Sequence, residues 1–421
     1  MIKVCKFGGT AMADARCIDR VAEIVASDSD RKGIVLSAPG ARYNGDIKIT
    51  DLLYQTFGDT GVWQVVRNRF DDIVKGLQVD IDIDEELNKI YMDINNGANV
   101  HYIVSRGEYL VSKIFAMYVG YQFVDAKDVI MLDGNGDIDL NSSRRQARML
   151  LNQHINKGFV VPGFYGSFNN QIRLLGRGGS DISGAIVSHV MAARQYENWT
   201  DVDGFFRFDP KFGKSKLNSS MTYKHAIDLA QFGATVLHPD SCVVASIDNT
   251  PIVIKNTFSP DSIGTVVSDT SDVQFGQVIG VGSTGPIKVL NIQKLSNTNQ
   301  SFVLDILHII GKYDICTTSL MMDTNQAWMV LCDTQSQKQN LKRLRSEIKK
   351  TLNDYKLSIH QSFLIKIVGT GVLSKALEIL NQNKIKPLYT TSTQDCNILA
   401  VSPKDYNRAM EALYGEMSGK E

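Results

Sequence analysis

The stretch IKVCKFGG (residues 2–9), followed by ADARCIDRVAEIVASD (13–28) and GIVLSAPG (33–40), decides the fold. A short apolar run, a longer helical stretch and a second short apolar run read as strand, helix, strand. Repeated along the chain, that rhythm predicts an α/β fold with a mostly parallel sheet sandwiched by helices. Further strands are expected at YQFVDA (121–126), GFVVPGF (158–164) and TPIVIKN (250–256). Helices are expected at RGEYLVSKIFAMYVG (106–120), SSRRQARMLLNQHINKG (142–158) and DISGAIVSHVMAARQ (181–195). Together these make one large domain, expected over residues 1–268. The polar stretch VSDTSDVQFGQ (267–277), with its run of Ser, Thr and Asp, marks a boundary.

Beyond the boundary one order of elements occurs twice. The first copy runs IKVLNIQ (287–293), SFVLDILHIIGKYDI (301–315), CTTSLMM (316–322), AWMVLCD (327–333) and QNLKRLRSEIKKTLNDY (339–355). The second runs FLIKIVG (363–369), VLSKALEILNQNKI (372–385), KPLYTTST (386–393), CNILAVS (396–402) and KDYNRAMEALYGEM (404–417). Each reads strand, helix, strand, strand, helix, the ferredoxin-like order. Two α+β modules are expected, over 285–356 and 361–421.

At 421 residues the chain is too long for a single core. Lys+Arg and Asp+Glu both number 45, so no global field draws it to nucleic acid or to an anionic membrane. Its six cysteines (Cys5, Cys17, Cys242, Cys316, Cys332, Cys396) are scattered, without zinc-site spacing or the density of a disulfide scaffold, and read as reduced thiols. His238, before Pro239, has no second His or Cys nearby at metal spacing and is expected to satisfy a turn. No transition metal is assigned. No apolar run approaches the ~20 residues that span a bilayer, and no signal-peptide pattern opens the chain. A cytoplasmic protein acting on small molecules is expected.

The chemistry concentrates in two glycine-rich turns. LLGRGGSD (174–181) gathers three glycines, Arg177, Ser180 and Asp181. Glycines admit backbone N–H groups close to a bulky ligand, arginine grips a carboxylate or phosphate, and aspartate can hold a metal or a lysine. KFGGT (6–10), where a strand ends and a helix begins, offers Lys6, Phe7, Gly8 and Gly9 as a phosphate cradle. It is not the Walker pattern.

KFGGT, SRGE (105–108), VPGFYGS (161–167), LLGRGGSDISGA (174–185), WTDVDG (199–204), FGATVLHP (232–239) and PIVIKN (251–256) occur in the order and at roughly the spacing seen in aspartokinases. The chain resembles that family throughout its first domain, and the paired modules resemble the ACT domains that regulate those enzymes. The resemblance implies the amino-acid kinase fold, ATP with Mg²⁺, and phosphorylation of the side-chain carboxylate of aspartate. That reaction opens the route to lysine, threonine and methionine. It further implies that Lys6 stabilises the transferring phosphoryl group, that Lys255 serves the nucleotide side, and that Thr200 and Asp201 contact the nucleoside end.

The reaction brings a triphosphate and a dicarboxylate together, so cations and amides should dominate the site. Asp181 is expected to hold both lysines in position, since a carboxylate nucleophile has no proton for a base to remove. Arg177 should fork the α-carboxylate of aspartate and Glu108 should pair with its α-ammonium. On residue type alone, Glu108 also fits a first-turn acid of the helix EYLVSKIFAMYV. Ser37, Thr50 and Ser180 are candidate donors to the side-chain carboxylate. The chain departs from the family in Ala11, where serine is usual, and in Phe206 and Lys211, where the nucleotide segment usually carries tyrosine and arginine. ARYNGDIKITD (41–51) is longer than in many relatives, and IVGTGVLSKAL in the second module is shorter.

A kinase of the same fold acting on glutamate, N-acetylglutamate or a nucleotide is the nearest alternative, and a non-catalytic amino-acid sensor is the other. A free α-ammonium accounts for an acid facing Arg177, whereas an N-acylated or nucleotide substrate does not. The modules are expected to pair in a homodimer or tetramer and to bind an effector, lysine or threonine. Asp305, Thr318, Asp395 and Asn397 are the candidate effector contacts.

Overall fold

The computed structural model describes residues 2–233, 236–271, 274–295, 302–312, 317–322, 325–331, 337–351 and 355–418. Ala234 and Thr235 of the FGATVLHP run lie outside these, as does the side chain of Thr318. The chain forms two compact units. One comprises Met1–Phe205 with Leu217–Val273, the other Phe206–Lys216 with Gln274–Glu421.

The first unit is built on β1 (Lys3–Phe7), β2 (Arg31–Leu36), β3 (Gln122–Phe123), β4 (Phe159–Pro162), the hairpin β5 (Tyr165–Phe168) and β6 (Gln171–Leu174), β7 (Gln195–Thr200), β8 (Ser220–Thr222), β9 (Ile252–Asn256) and β10 (Thr265–Ser268). Outside the hairpin, the strands form one sheet in the order β3-β4-β2-β1-β7-β9-β10-β8. Every neighbouring pair from β3 to β9 is parallel, and β10 runs against β9. Val4, Cys5 and Phe7, like Ile34, Val35 and Leu36, are fully buried, as strands covered on both faces require. The helix Ala15–Ala26 starts at Asp14, whose carboxylate accepts the Cys17 N–H at 2.9 Å, and buries Ile18, Val21, Ile24 and Val25 at helical spacing.

From β1 the sheet extends in two directions, through β2 and β4 on one side and β7 and β9 on the other. The crevice beyond the carboxyl ends of strands at such a switch point is where ligands bind. The turns KFGG and SAPG both emerge there.

Each expected strand and helix of this unit is present, with shifted ends. The helix expected from Arg106 begins at Val100, capped by Asn99, which accepts the Tyr102 N–H at 3.0 Å, and runs to Val119. The helix expected over 142–158 spans Leu140–Leu150. Helices not read from the sequence include Ile49–Thr56, Trp63–Leu77, Asp84–Asn95, Tyr223–Ala230 and Pro239–Ile247.

The second unit contains β11 (Gly280–Lys294), β12 (Thr317–Met322), β13 (Gln326–Leu331), β14 (Tyr355–Val368), β15 (Tyr389–Ser392) and β16 (Cys396–Val401). They make one antiparallel sheet in the order β12-β13-β11-β14-β16-β15. Helices Phe302–Lys312, Gln337–Thr351, Leu373–Gln382 and Tyr406–Met417 complete the doubled order. The long strands β11 and β14 serve both halves: Ile287–Lys294 face Ser362–Tyr355, and Gly280–Thr284 face Val368–Leu364. Phe206–Lys216 is part of this unit. Its Phe208 is fully buried among Ile365, Ile367 and Leu413 and meets Tyr414 edge-on, with ring centroids 5.7 Å apart.

Candidate active site

A cleft of about 630 Å³ opens at the carboxyl ends of β1 and β2. Lys6, Gly9, Ser37, Thr50, Glu108, Arg177, Ser180 and Asp181 all line it, so four distant sequence segments converge on one space. Gly40, after β2, presses on the KFGGT turn: its N–H donates to the Gly9 carbonyl at 2.8 Å, and a Cβ there would lie 2.7 Å from Gly9 backbone atoms. Glycine is required. Gly178 is likewise fixed, with φ +73° and the His238 ring where a Cβ would stand.

Gly178 caps the helix Gly179–Val190, which puts Ser180 and Asp181 in its first turn at the cleft wall. The N–H groups and dipole of such a terminus favour anions. Asp181 Oδ1 lies 2.6 Å from the Lys6 ammonium and accepts the Asn198 amide at 3.2 Å, while Oδ2 accepts the His238 N–H at 3.1 Å. His238 Nδ1 accepts the Asp240 N–H at 3.3 Å, the turn-satisfying role expected of it.

The expectation that Asp181 braces both lysines is corrected. Strand register aligns Lys6 with Asn198 and Ile254, but aligns Lys255 with Trp199 and Phe7, one residue further on. Successive side chains on a strand point to opposite faces, so Lys255 leaves the sheet on the other side from Lys6. Its ammonium donates to the Ser262 carbonyl, and burial lowers its pKa.

Glu108 sits in the middle of the helix Val100–Val119, not in a first turn, and is 3% exposed. The Ala38 N–H bonds its carboxylate, Oε2 has no partner, and burial pushes its pKa to about 8. Arg106, two residues earlier, stacks its guanidinium over Tyr102 and Tyr109 at 4.5 and 4.4 Å. Arg177 is exposed and makes no ion pair among the described residues. A buried carboxyl and an exposed guanidinium thus line one cleft, and once the carboxyl ionises the pair is complementary to a zwitterion.

Thr200 ends β7 and Asp201 follows it, next to the KFGGT turn: the Gly8 N–H donates to the Trp199 carbonyl at 3.1 Å and the Thr10 hydroxyl reaches Asp201 at 3.5 Å. Phe206 and Lys211 belong to the second unit, where Lys211 pairs with Asp209 at 2.7 Å. Also in that unit, Asp305 is half-buried on its helix, and Asp395 accepts the Thr370 hydroxyl at 2.8 Å. Asn397 is buried; its amide donates to the Ile367 and Gly369 carbonyls and its oxygen accepts from Ser392.

Gly40, Lys48 and Tyr54 line the cleft and were not read from the sequence, nor was Asn198. The glycine of SAPG, closing a strand as KFGG does, was the available signal for the first.

Residues 1–256 match the amino acid kinase family. Aspartokinase 3 of Bacillus subtilis is 27% identical over 99% of this chain and 98% of its own length. The aspartate kinase of Clostridium acetobutylicum has a solved structure that superposes with TM-score 0.91 at 32% identity, covering 99% of this chain and 100% of that one. Escherichia coli aspartokinase III, solved with aspartate and ADP, shares the fold at TM-score 0.80, 22% identity and 99% coverage of both chains. The family match, the end-to-end likeness to the Clostridium structure and the convergence of Lys6, Asp181, Glu108 and Arg177 on one cleft carry one conclusion: the chain belongs to the amino acid kinase family and, within it, to the aspartate kinases.

Proposed function

We propose that the chain transfers the γ-phosphoryl group of ATP to the side-chain carboxylate of L-aspartate, giving 4-phospho-L-aspartate and ADP. The observation that carries this reading is the buried, unpartnered Oε2 of Glu108 in the cleft that Arg177 also lines. An α-ammonium satisfies Glu108, an α-carboxylate satisfies Arg177, and the side chain is left to reach the phosphoryl group. Ser37, Thr50 and Ser180 orient that side chain. Its oxygen attacks the γ-phosphorus as the bond to the β-bridging oxygen breaks, and no proton is transferred. Lys6, anchored by Asp181, neutralises charge on the phosphoryl group in flight. The Gly9 amide and the helix start at Gly179 supply further donors.

Among the described residues no three His, Cys, Asp or Glu side chains form a metal cluster. Mg²⁺ would enter with the nucleotide's own phosphates, whose charge it would neutralise. Lys255, Thr200 and Asp201 are proposed to serve the nucleotide, and Asp305, Asp395 and Asn397 an amino-acid effector, lysine before threonine. Thr318 is kept as a position only. Pairing of the antiparallel sheets between subunits would bury their exposed edges in a dimer or tetramer.

The test is ADP release over a panel of amino acids with Mg-ATP, with lysine and threonine added singly. Aspartate should be turned over with the highest kcat/KM. Preference for glutamate or N-acetylglutamate would overturn the reading.

A further inference from the structure

Arg69 lies in the helix Trp63–Leu77, outside every motif that marks the site, yet its guanidinium is 4% exposed and points at the backbone of the cleft. One Nη2 donates to the Gly40 carbonyl at 2.6 Å and to the Ala13 carbonyl at 3.2 Å, and Nη1 donates to Asp46 at 3.0 Å. Of the three acceptors Gly40 lines the cleft, and Ala13 and Asp46 belong to segments that flank it. Gly40 is hydrogen-bonded to Gly9 of the phosphate turn. Ala13 ends the short turn that follows it, and Asp46 anchors the loop leading to Lys48 and Thr50. Asp46 also accepts from the backbone and side chain of Arg42, so the loop is tied at both ends of one carboxylate.

The arrangement is poor as a stability device. Arg69 Nε is buried without a partner, and a buried ion pair is weak grounds for stability because desolvation offsets the attraction. We infer that Arg69 is a positioning residue for phosphoryl transfer: it cross-braces the KFGGT turn, the SAPG turn and the 41–48 loop, and so fixes the geometry of the phosphate cradle. It touches neither substrate. Its effect therefore reaches the chemistry through the backbone of Gly9 and Gly40, while Arg177 stands on a separate segment. The inference rests on the kinase reading above.

A hollow of about 570 Å³, lined in part by Arg16, Arg42, Arg69 and Asp72, adjoins the brace and gives a small cation a route to it. The experiment is Arg69→Met in the full chain, measured by ADP release, by calorimetric ADP binding and with methylguanidinium added. Expected are a kcat lowered on the order of 10- to 100-fold, as small misplacements of reacting groups produce, a smaller change in aspartate KM, weaker ADP binding, and saturable recovery of kcat with methylguanidinium. A folded variant with native kcat overturns the inference, and so does a loss that only tracks the folded fraction and ignores methylguanidinium. If the Met variant does not fold, Arg69→Lys decides: one ammonium cannot reach three acceptors, so its kcat should fall although the charge is kept, and a native kcat overturns the brace. A native chain inactive on aspartate sinks the kinase reading instead, and the brace is then judged on ADP affinity alone.

Discussion

Lys6 and Asn198 meet on the same oxygen, Oδ1 of Asp181, at 2.6 and 3.2 Å. The ammonium is thus held before any nucleotide arrives, and its charge is aimed rather than free. Lys6→Ala should lower kcat on the order of 10²- to 10³-fold, the usual effect of removing a preorganised transition-state donor, with a smaller change in aspartate KM. Steady-state kinetics with both substrates varied checks this. An unchanged kcat would remove Lys6 from the reacting centre.

Arg177 faces solvent and has no ion pair among the described residues, so truncating it strands no buried partner. Arg177→Ala should cost about 1.5–3 kcal/mol of aspartate binding, on the order of 10- to 150-fold in KM, and leave ADP affinity intact. An aspartate KM equal to that of the native chain would refute the fork.

Glu108 gives the site a pH dependence. Burial raises its folded pKa to about 8 from the ordinary 4.5, so the free enzyme holds the carboxyl protonated across much of the neutral range. An α-ammonium prefers the carboxylate, hence aspartate binding must release that proton. Aspartate KM should rise as pH falls below about 8, and Glu108→Gln should flatten the profile while weakening binding. The same raised pKa stabilises the free protein below about 4.5, and the stabilisation is lost as pH rises through about 8. Melting temperature against pH, in both proteins, reads this directly; parallel curves would disprove it.

Phe208 tests the second core. It is fully buried with Tyr414 and Leu413, so Phe208→Ala should destabilise that unit by about 3–5 kcal/mol. Denaturant unfolding followed by tyrosine fluorescence should show the shift. A change within experimental error would mean that residues 206–216 do not contribute to that core.

The parallel sheet and the doubled order of the C-terminal modules were legible because strands buried on both faces and repeated element orders leave local patterns. Helix starts were less so. Glu108 reads as a first-turn acid when the helix is begun at Arg106; the true start, at Asn99, depends on a capping bond to Tyr102 N–H. Trp63–Leu77 did carry a signal, since Trp63, Val66, Phe70, Ile73 and Leu77 recur at helical spacing. The cleft residues could be named from motifs, but which lysine Asp181 holds could not: that depends on strand register, and a one-residue offset puts Lys6 and Lys255 on opposite faces. The membership of Phe206–Lys216 was invisible for a similar reason, because its partners come some 70 residues or more later in the chain.

That last segment has a consequence for the gene. Residues 206–216 complete a core whose other members begin at Gln274, so the coding sequence of the second unit is interrupted by that of residues 217–273. No single cut separates the two. A fragment ending at Ser268 keeps Phe208 but lacks the side chains that cover it, and a fragment starting at Gln274 lacks Phe208 itself. Recombination that shuffles the second unit between relatives must therefore exchange two stretches of DNA at once, or choose a partner whose 206–216 segment already fits.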